Sequence, residues 1–199
     1  MSTSLKFSIK QMSTATDIFH VVVDDFEPII FPTLEYPNPD NPNGPYVADL
    51  GNALPLLLTR PQPTIRFTRI SNILQKDPTR YTLVLTDPDA PSRSNATSGE
   101  IAHWIQTGLY FDSPNPLNDG ANYARDILTY RPPMPSQDSG PHRYVILMLQ
   151  DQSGYVGVRR DLSTPSTRVR WGYEQPGSGV RRWAEENKLE VVGELCSAS

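Results

Sequence analysis

His103, His142, Tyr144 and the paired aspartates of Asp87-Pro-Asp-Ala-Pro91 are the residues of this chain best suited to do chemistry. Imidazole and phenol hydrogens can donate to the oxygens of a phosphate or another small anion. A protonated histidine would add charge to those bonds. A carboxylate beside an anion is repulsive, so Asp87 needs another use. It can orient a histidine through the far ring nitrogen, as carboxylates do behind metal-bound histidines. It can also stay protonated and donate, or hold an ammonium group. The first use is preferred, with the third open to a zwitterionic ligand. Affinity for an anion should then fall above about pH 7 as the histidines lose charge.

Each motif has a plainer reading. Strand histidines are commonly satisfied core residues, and Asp-Pro-Asp is commonly a turn. His20, before Val21-Val-Val23, has no evident partner and reads as structural or surface. General acid–base work by an Asp/His/His/Tyr set is conceivable, which makes a hydrolase of phosphoesters or esters the alternative function. No G-x-S-x-G or activated cysteine supplies a nucleophile, however. Zinc-type CxxC and H-x-x-x-H spacings are absent, so neither metal nor cofactor is expected.

These residues must be placed by strands. Tyr81–Thr86 is β-branched and apolar and ends at Asp87, where flanking prolines stiffen the loop and an X-Pro bond can lock cis. Residues 101–110 alternate, carrying His103 on the face of Ile101 and Ile105. Residues 143–150 are nearly all apolar, as in a strand buried on both faces. On it His142 and Tyr144 face one way and Arg143 the other, with Asp89 a candidate ion-pair partner for Arg143. Residues 64–70 form a shorter strand. Val180–Lys188 predicts a helix with Val180, Trp183 and Ala184 on one stripe; Asn122–Leu128 is a second candidate. Loops fall at 37–45, 112–120 and 131–141.

The chain has 199 residues, with 20 prolines and 12 glycines. That proline content, roughly twice the average, disfavours long helices. A mostly β sandwich or barrel with a few peripheral helices follows. One domain is expected over 21–199, preceded by an N-terminal arm, 1–20. The net charge of −4 argues against a general nucleic-acid partner. The N-terminus lacks a signal-peptide stretch, and runs such as Leu54-Pro-Leu-Leu-Leu58 are too short to span a bilayer. A cytoplasmic location is expected, with vacuolar or membrane association as variants, and the Asn95-Ala-Thr97 sequon reads as chance. The one cysteine, Cys196, is expected in a flexible tail. Six arginines (Arg159, Arg160, Arg168, Arg170, Arg181, Arg182) against Asp161 and Glu174 make a local charge of +4. Such a patch reads either as a solvated face packed on aromatics or as a surface for an anionic membrane.

Thr86-Asp-Pro-Asp-Ala-Pro-Ser92, His103 and Ser139-Gly-Pro-His-Arg-Tyr144 together resemble the phosphatidylethanolamine-binding protein family, which includes Raf kinase inhibitor proteins and plant flowering-time regulators. Trp171-Gly-Tyr173 and Gly179–Leu189 are similar to its fungal carboxypeptidase Y inhibitor branch. The resemblance spans about residues 20 to 193. It implies an antiparallel β-sandwich whose pocket takes a phospholipid head group or small anion. The pocket residues it implies are Asp87, His103, His142 and Tyr144, plus the backbone N–H at Met134, where the family carries a glycine. Pro88, Asp89, Pro91, Gly140 and Arg143 complete the two motifs. Ile101 replaces an aromatic of animal members, and the C-terminus, Cys196-Ser-Ala-Ser199, lacks their aromatic segment. The implied function is a binding and regulatory protein rather than an enzyme, with signalling partners and a serine carboxypeptidase as a target for inhibition.

Overall fold

The computed structural model describes residues 2–41, 43–70, 80–109, 124–152 and 161–198. Arg159, Arg160, the 112–120 connector and the start of the Asn122–Leu128 segment lie outside them. Helices α1 (Ser2–Ala15) and α2 (Ile18–Val21) open the chain. The strands are β1 (Ile30–Tyr36), β2 (Tyr46–Ala48), β3 (Thr64–Arg69), β4 (Tyr81–Asp87), β5 (Ile101–Leu109), β6 (Arg125–Leu128), β7 (Arg143–Asp151) and β8 (Leu189–Ala198). Helix α3 (Gly179–Glu186) precedes β8. The protein is mostly β, as expected.

The strands join in the order β2-β1-β8-β7-β4-β5-β6, with β3 also on β1. All pairings are antiparallel except β1 with β8, which meet at Ile30 and Gly193. A Cβ on Gly193 would lie 2.4 Å from the Ile30 carbonyl oxygen, so only glycine admits this approach.

Strands β4 and β7 lie at the centre, and alternation sends their side chains to two cores. Tyr144, Ile146 and Met148 join Leu83, Leu85 and Trp104 on one face. The β1–β3 end of the sheet supplies Ile30, Leu34 and Ile65 to that same core, so the one sheet curls over on itself. On the other face Val145, Leu147 and Val84 pack under Ile18, Phe19, Trp171 and the Val180–Trp183–Ala184 stripe of α3. The strand expected to be buried on both faces is therefore β7, and the helix expected over Val180–Lys188 is α3, ending at Glu186.

Two expectations fail. Asn122–Leu128 is not a helix where described: Arg125–Leu128 is β6, paired with β5. Its short pattern fits either period, and sheet pairing decides between them. Trp104 and Gln106 fasten it by donating to the Asp126 carboxylate at 2.9 and 3.0 Å. Nor is Cys196 in a flexible tail. It pairs with Val145 inside β8 and is 3% exposed. Burial pushes its thiol up to about 12, so it is inert rather than reactive.

Candidate functional site

Asp87 ends β4, which lies between β5 and β7. The registers set Asp87 opposite Ile101 on β5, and Thr86 opposite Val145 on β7. One carboxylate thus stands between the strand of His103 and the strand that follows His142. Nδ1 of His142 lies 2.7 Å from Oδ2 of Asp87, with both side chains buried. The other Asp87 oxygen accepts the Asp89 backbone N–H at 2.7 Å. Burial raises the Asp87 carboxyl above its usual value, against the opposing pull of His142. The Ala90–Pro91 bond is cis.

Asp89 is fully buried and faces away from this pair. Its oxygens accept the Arg143 backbone N–H at 2.8 Å and Nε–H at 2.9 Å. A further Arg143 nitrogen donates to the Thr16 carbonyl, just past α1. The expected split of the strand holds: Arg143 serves the Asp89 side, while His142 and Tyr144 share the other. Gly140 turns the chain into β7 at a φ of +73°, where an L side chain is strained.

Tyr144 stands between the two histidines. Its ring is nearly parallel to His142 at 6.4 Å and edge-on to His103 at 5.4 Å. His103 Nδ1 lies 2.8 Å from the Arg131 carbonyl, an acceptor, so Nδ1 carries the hydrogen. Burial lowers His103 to about 4, so it is neutral at pH 7. Against the expectation of two charged histidines, His103 is neutral by burial, and the Asp87 carboxylate reaches only His142.

Two buried polar atoms, His142 Nε2 and Tyr144 Oη, find no partner among the described residues. Buried polar groups are nearly always hydrogen-bonded, so two orphans on neighbouring rings mark a place for something else. Burial holds the Tyr144 phenol well above its usual range, so it remains a donor. The Met134 backbone approaches Tyr144 without a formed hydrogen bond, and its side chain is 70% exposed. Beside Tyr144 a cavity of about 10 Å³, water-sized, is lined by Tyr36, Leu54, Pro133 and residues 197–198 of β8.

Several neighbours carried no readable signal. Arg131 acts through its backbone, which any residue type could supply. Tyr130 donates to the Thr59 carbonyl at 2.5 Å. Each described arginine of the basic patch binds a carbonyl or carboxylate of this chain. Arg168 caps the Ala102 and His103 carbonyls at 3.1 and 3.0 Å, and Arg170 the Thr97 carbonyl at 2.9 Å. Arg181 pairs with Asp24, and Arg182 pairs with Glu186 and lies 4.5 Å over the Tyr173 ring. No described helix is long and apolar enough to cross a membrane.

Comparison with known proteins bears on the family and the fold. The "Carboxypeptidase Y inhibitor" of Saccharomyces cerevisiae is 29% identical over 164 residues, 72% of this chain and 74% of that one. An uncharacterised protein of the same yeast is 34% identical over 151 residues, 72% of this chain and 71% of its own. A solved structure of carboxypeptidase Y inhibitor complexed with its cognate proteinase superposes with a TM-score of 0.80 at 29% identity, covering 100% of this chain and 98% of that one. The family model for phosphatidylethanolamine-binding protein matches residues 46–193, the span that holds both motifs and every strand of the sheet's centre. The chain belongs to the phosphatidylethanolamine-binding protein family.

Proposed function

We propose that this protein inhibits a serine carboxypeptidase and carries a separate site for a small phosphate-type anion, such as a phospholipid head group. The inhibitor reading rests on the whole-length likeness to an inhibitor solved with its proteinase, which includes the N-terminal region that the family model does not reach. Of the expected arm, residues 1–20, Ile18 and Phe19 of α2 are buried in the core, so helix α1 is the part proposed to meet the protease. Inhibition of carboxypeptidase Y by the full chain, lost on removing residues 1–12, is the expected result. Equal inhibition by the shortened chain would clear the arm of this role.

The anion reading is carried by the orphaned His142 Nε2 and Tyr144 Oη. Asp87 supports the imidazolium, whose Nε2–H and the Tyr144 hydroxyl then donate to one anion, while neutral His103 shapes the wall. No nucleophile stands in this arrangement, so binding is favoured over turnover. Calorimetric titration with inorganic phosphate and with phosphoethanolamine tests it. Binding by the parent and none by His142→Ala is expected; equal binding by both would move the site elsewhere.

A further inference from the structure

Helix α1 is held to the sheet by very little apolar surface. Of its described side chains, only Ile9 and Ser13 are buried, each 1% exposed. Its ion pairs, Lys6 with Glu27 at 2.8 Å and Lys10 with Asp25 and Glu27 at 3.3 and 3.4 Å, lie at the surface and contribute little. The buried polar contact is Ser13 with Glu194 of β8. Glu194 is 1% exposed, and Ser13 is its hydrogen-bond partner among the described residues.

Ser13 Oγ lies 2.9 Å from the Ile9 carbonyl oxygen and 2.9 Å from Glu194 Oε2. One hydroxyl hydrogen cannot fully serve two acceptors. Both contacts are satisfied when Glu194 carries a proton: its O–H donates to Ser13 Oγ, and the Ser13 O–H donates to Ile9. An ionised Glu194 takes the Ser13 hydroxyl hydrogen, leaves the Ile9 carbonyl to its helical N–H, and puts a charge into the buried joint with Ser13 as its hydrogen-bond donor among the described residues.

We propose that Ser13 and Glu194 form a protonation latch that seats helix α1 on the sheet and frees it as the carboxyl ionises. The surrounding charges do not substitute for the proton. On β7, Arg143 is committed to buried Asp89 and the Thr16 carbonyl. Asp17 pairs with Arg93 at 3.5 Å, and Lys6 and Lys10 face Glu27 and Asp25. On β8, Cys196 adds only a thiol held neutral by burial. Consistent with this, burial raises Glu194 from an ordinary 4.5 to about 7. A carboxyl raised on docking contributes fully below its free value and ceases to contribute above the docked one. Docking therefore weakens between pH 4.5 and 7, by up to about tenfold per pH unit. The latch stands on the α1 contacts alone. Its consequence, a protease-facing arm held in acid and freed near neutrality, rests on the inhibitor reading above.

Hydrogen exchange of residues 5–15, corrected for the intrinsic effect of pH, tests the latch in the full chain. Protection in the parent is expected to fall on the order of a hundredfold from pH 4.5 to 7.5, while the sheet stays protected. Glu194→Gln, whose amide can donate to Ser13 Oγ at any pH, is expected to remove that fall. Ser13→Ala is expected to lose α1 protection already at pH 5 with the sheet intact. Flat protection in the parent, or Glu194→Gln falling as the parent does, overturns the proposal. So does Ser13→Ala protected like the parent at pH 5. Because no protease enters this readout, the latch can fail while inhibition stands, and the reverse.

Discussion

At the residue scale, the site is an unequal pair of histidines. His142 has a carboxylate on Nδ1 and an open Nε2; His103 has a backbone carbonyl on Nδ1 and is neutral by burial. Two expectations follow. Tyr144→Phe keeps the ring between the histidines but removes one donor, so phosphate affinity should fall about tenfold, the loss of one charge-assisted hydrogen bond. Calorimetric titration reads it, and an unchanged affinity would place the anion away from Tyr144. His103 makes a pH prediction for stability. Its folded value, about 4, lies below its ordinary 6.5, so the unfolded chain binds the extra proton between them. His103 should therefore erode stability as pH falls from 6.5 to 4. Urea unfolding of His103→Gln should lack that part of the acid decline; the same acid slope in both proteins would contradict the assignment.

At the element scale, Glu100 is the cap of α3, supplied from another part of the chain. Ser178 makes no side-chain cap there, and Glu100 Oε2 lies 3.4 Å from the Val180 N–H and 3.4 Å from the Thr86 hydroxyl. The carboxyl is fully buried, its Oε1 is unpartnered among the described residues, and burial raises it to about 8. Its neutral form is the compatible one, so its contribution is complete below pH 4.5 and lost as pH rises to 8. Glu100→Gln should match the parent in thermal stability near pH 4.5 and exceed it above pH 8, by roughly 1–3 kcal/mol. A Gln variant less stable than the parent at pH 9 would show that the ionised cap is the favoured one. The sequence marked α3 by its apolar stripe but gave no sign of this cap, because the partner lies 80 residues away. The failed helix over Asn122–Leu128 has the same origin: a four-residue strand takes its identity from β5, not from its own period.

At the scale of the whole molecule, Asp89 and Arg143 tie the first motif, β7 and the end of α1 into one joint. Breaking a buried pair leaves the remaining charge unpaired. Asp89→Asn should cost about 3 kcal/mol in urea unfolding. It should also raise hydrogen exchange at the end of α1 as well as in the Asp87 loop. Disturbance confined to one of these places would show that the pair does not link them.

The sequence by itself determined the two motifs, the β class, the doubly buried strand and the facing of His142 with Tyr144 against Arg143. Those follow from residue type and a period of two, which are local. Tertiary structure decided what depends on neighbours distant in sequence. It decided that Asp87 orients His142 and leaves His103 to a backbone carbonyl, although β4 lies between the strand of His103 and the strand that follows His142. It decided that Cys196 and Glu194 are core residues, because β8 inserts between β1 and β7 rather than trailing off. It decided that four of the arginines bind this chain's own carbonyls and carboxylates. Burial and the partners of backbone atoms set charge state and contact here, and neither is written in the type of a single residue.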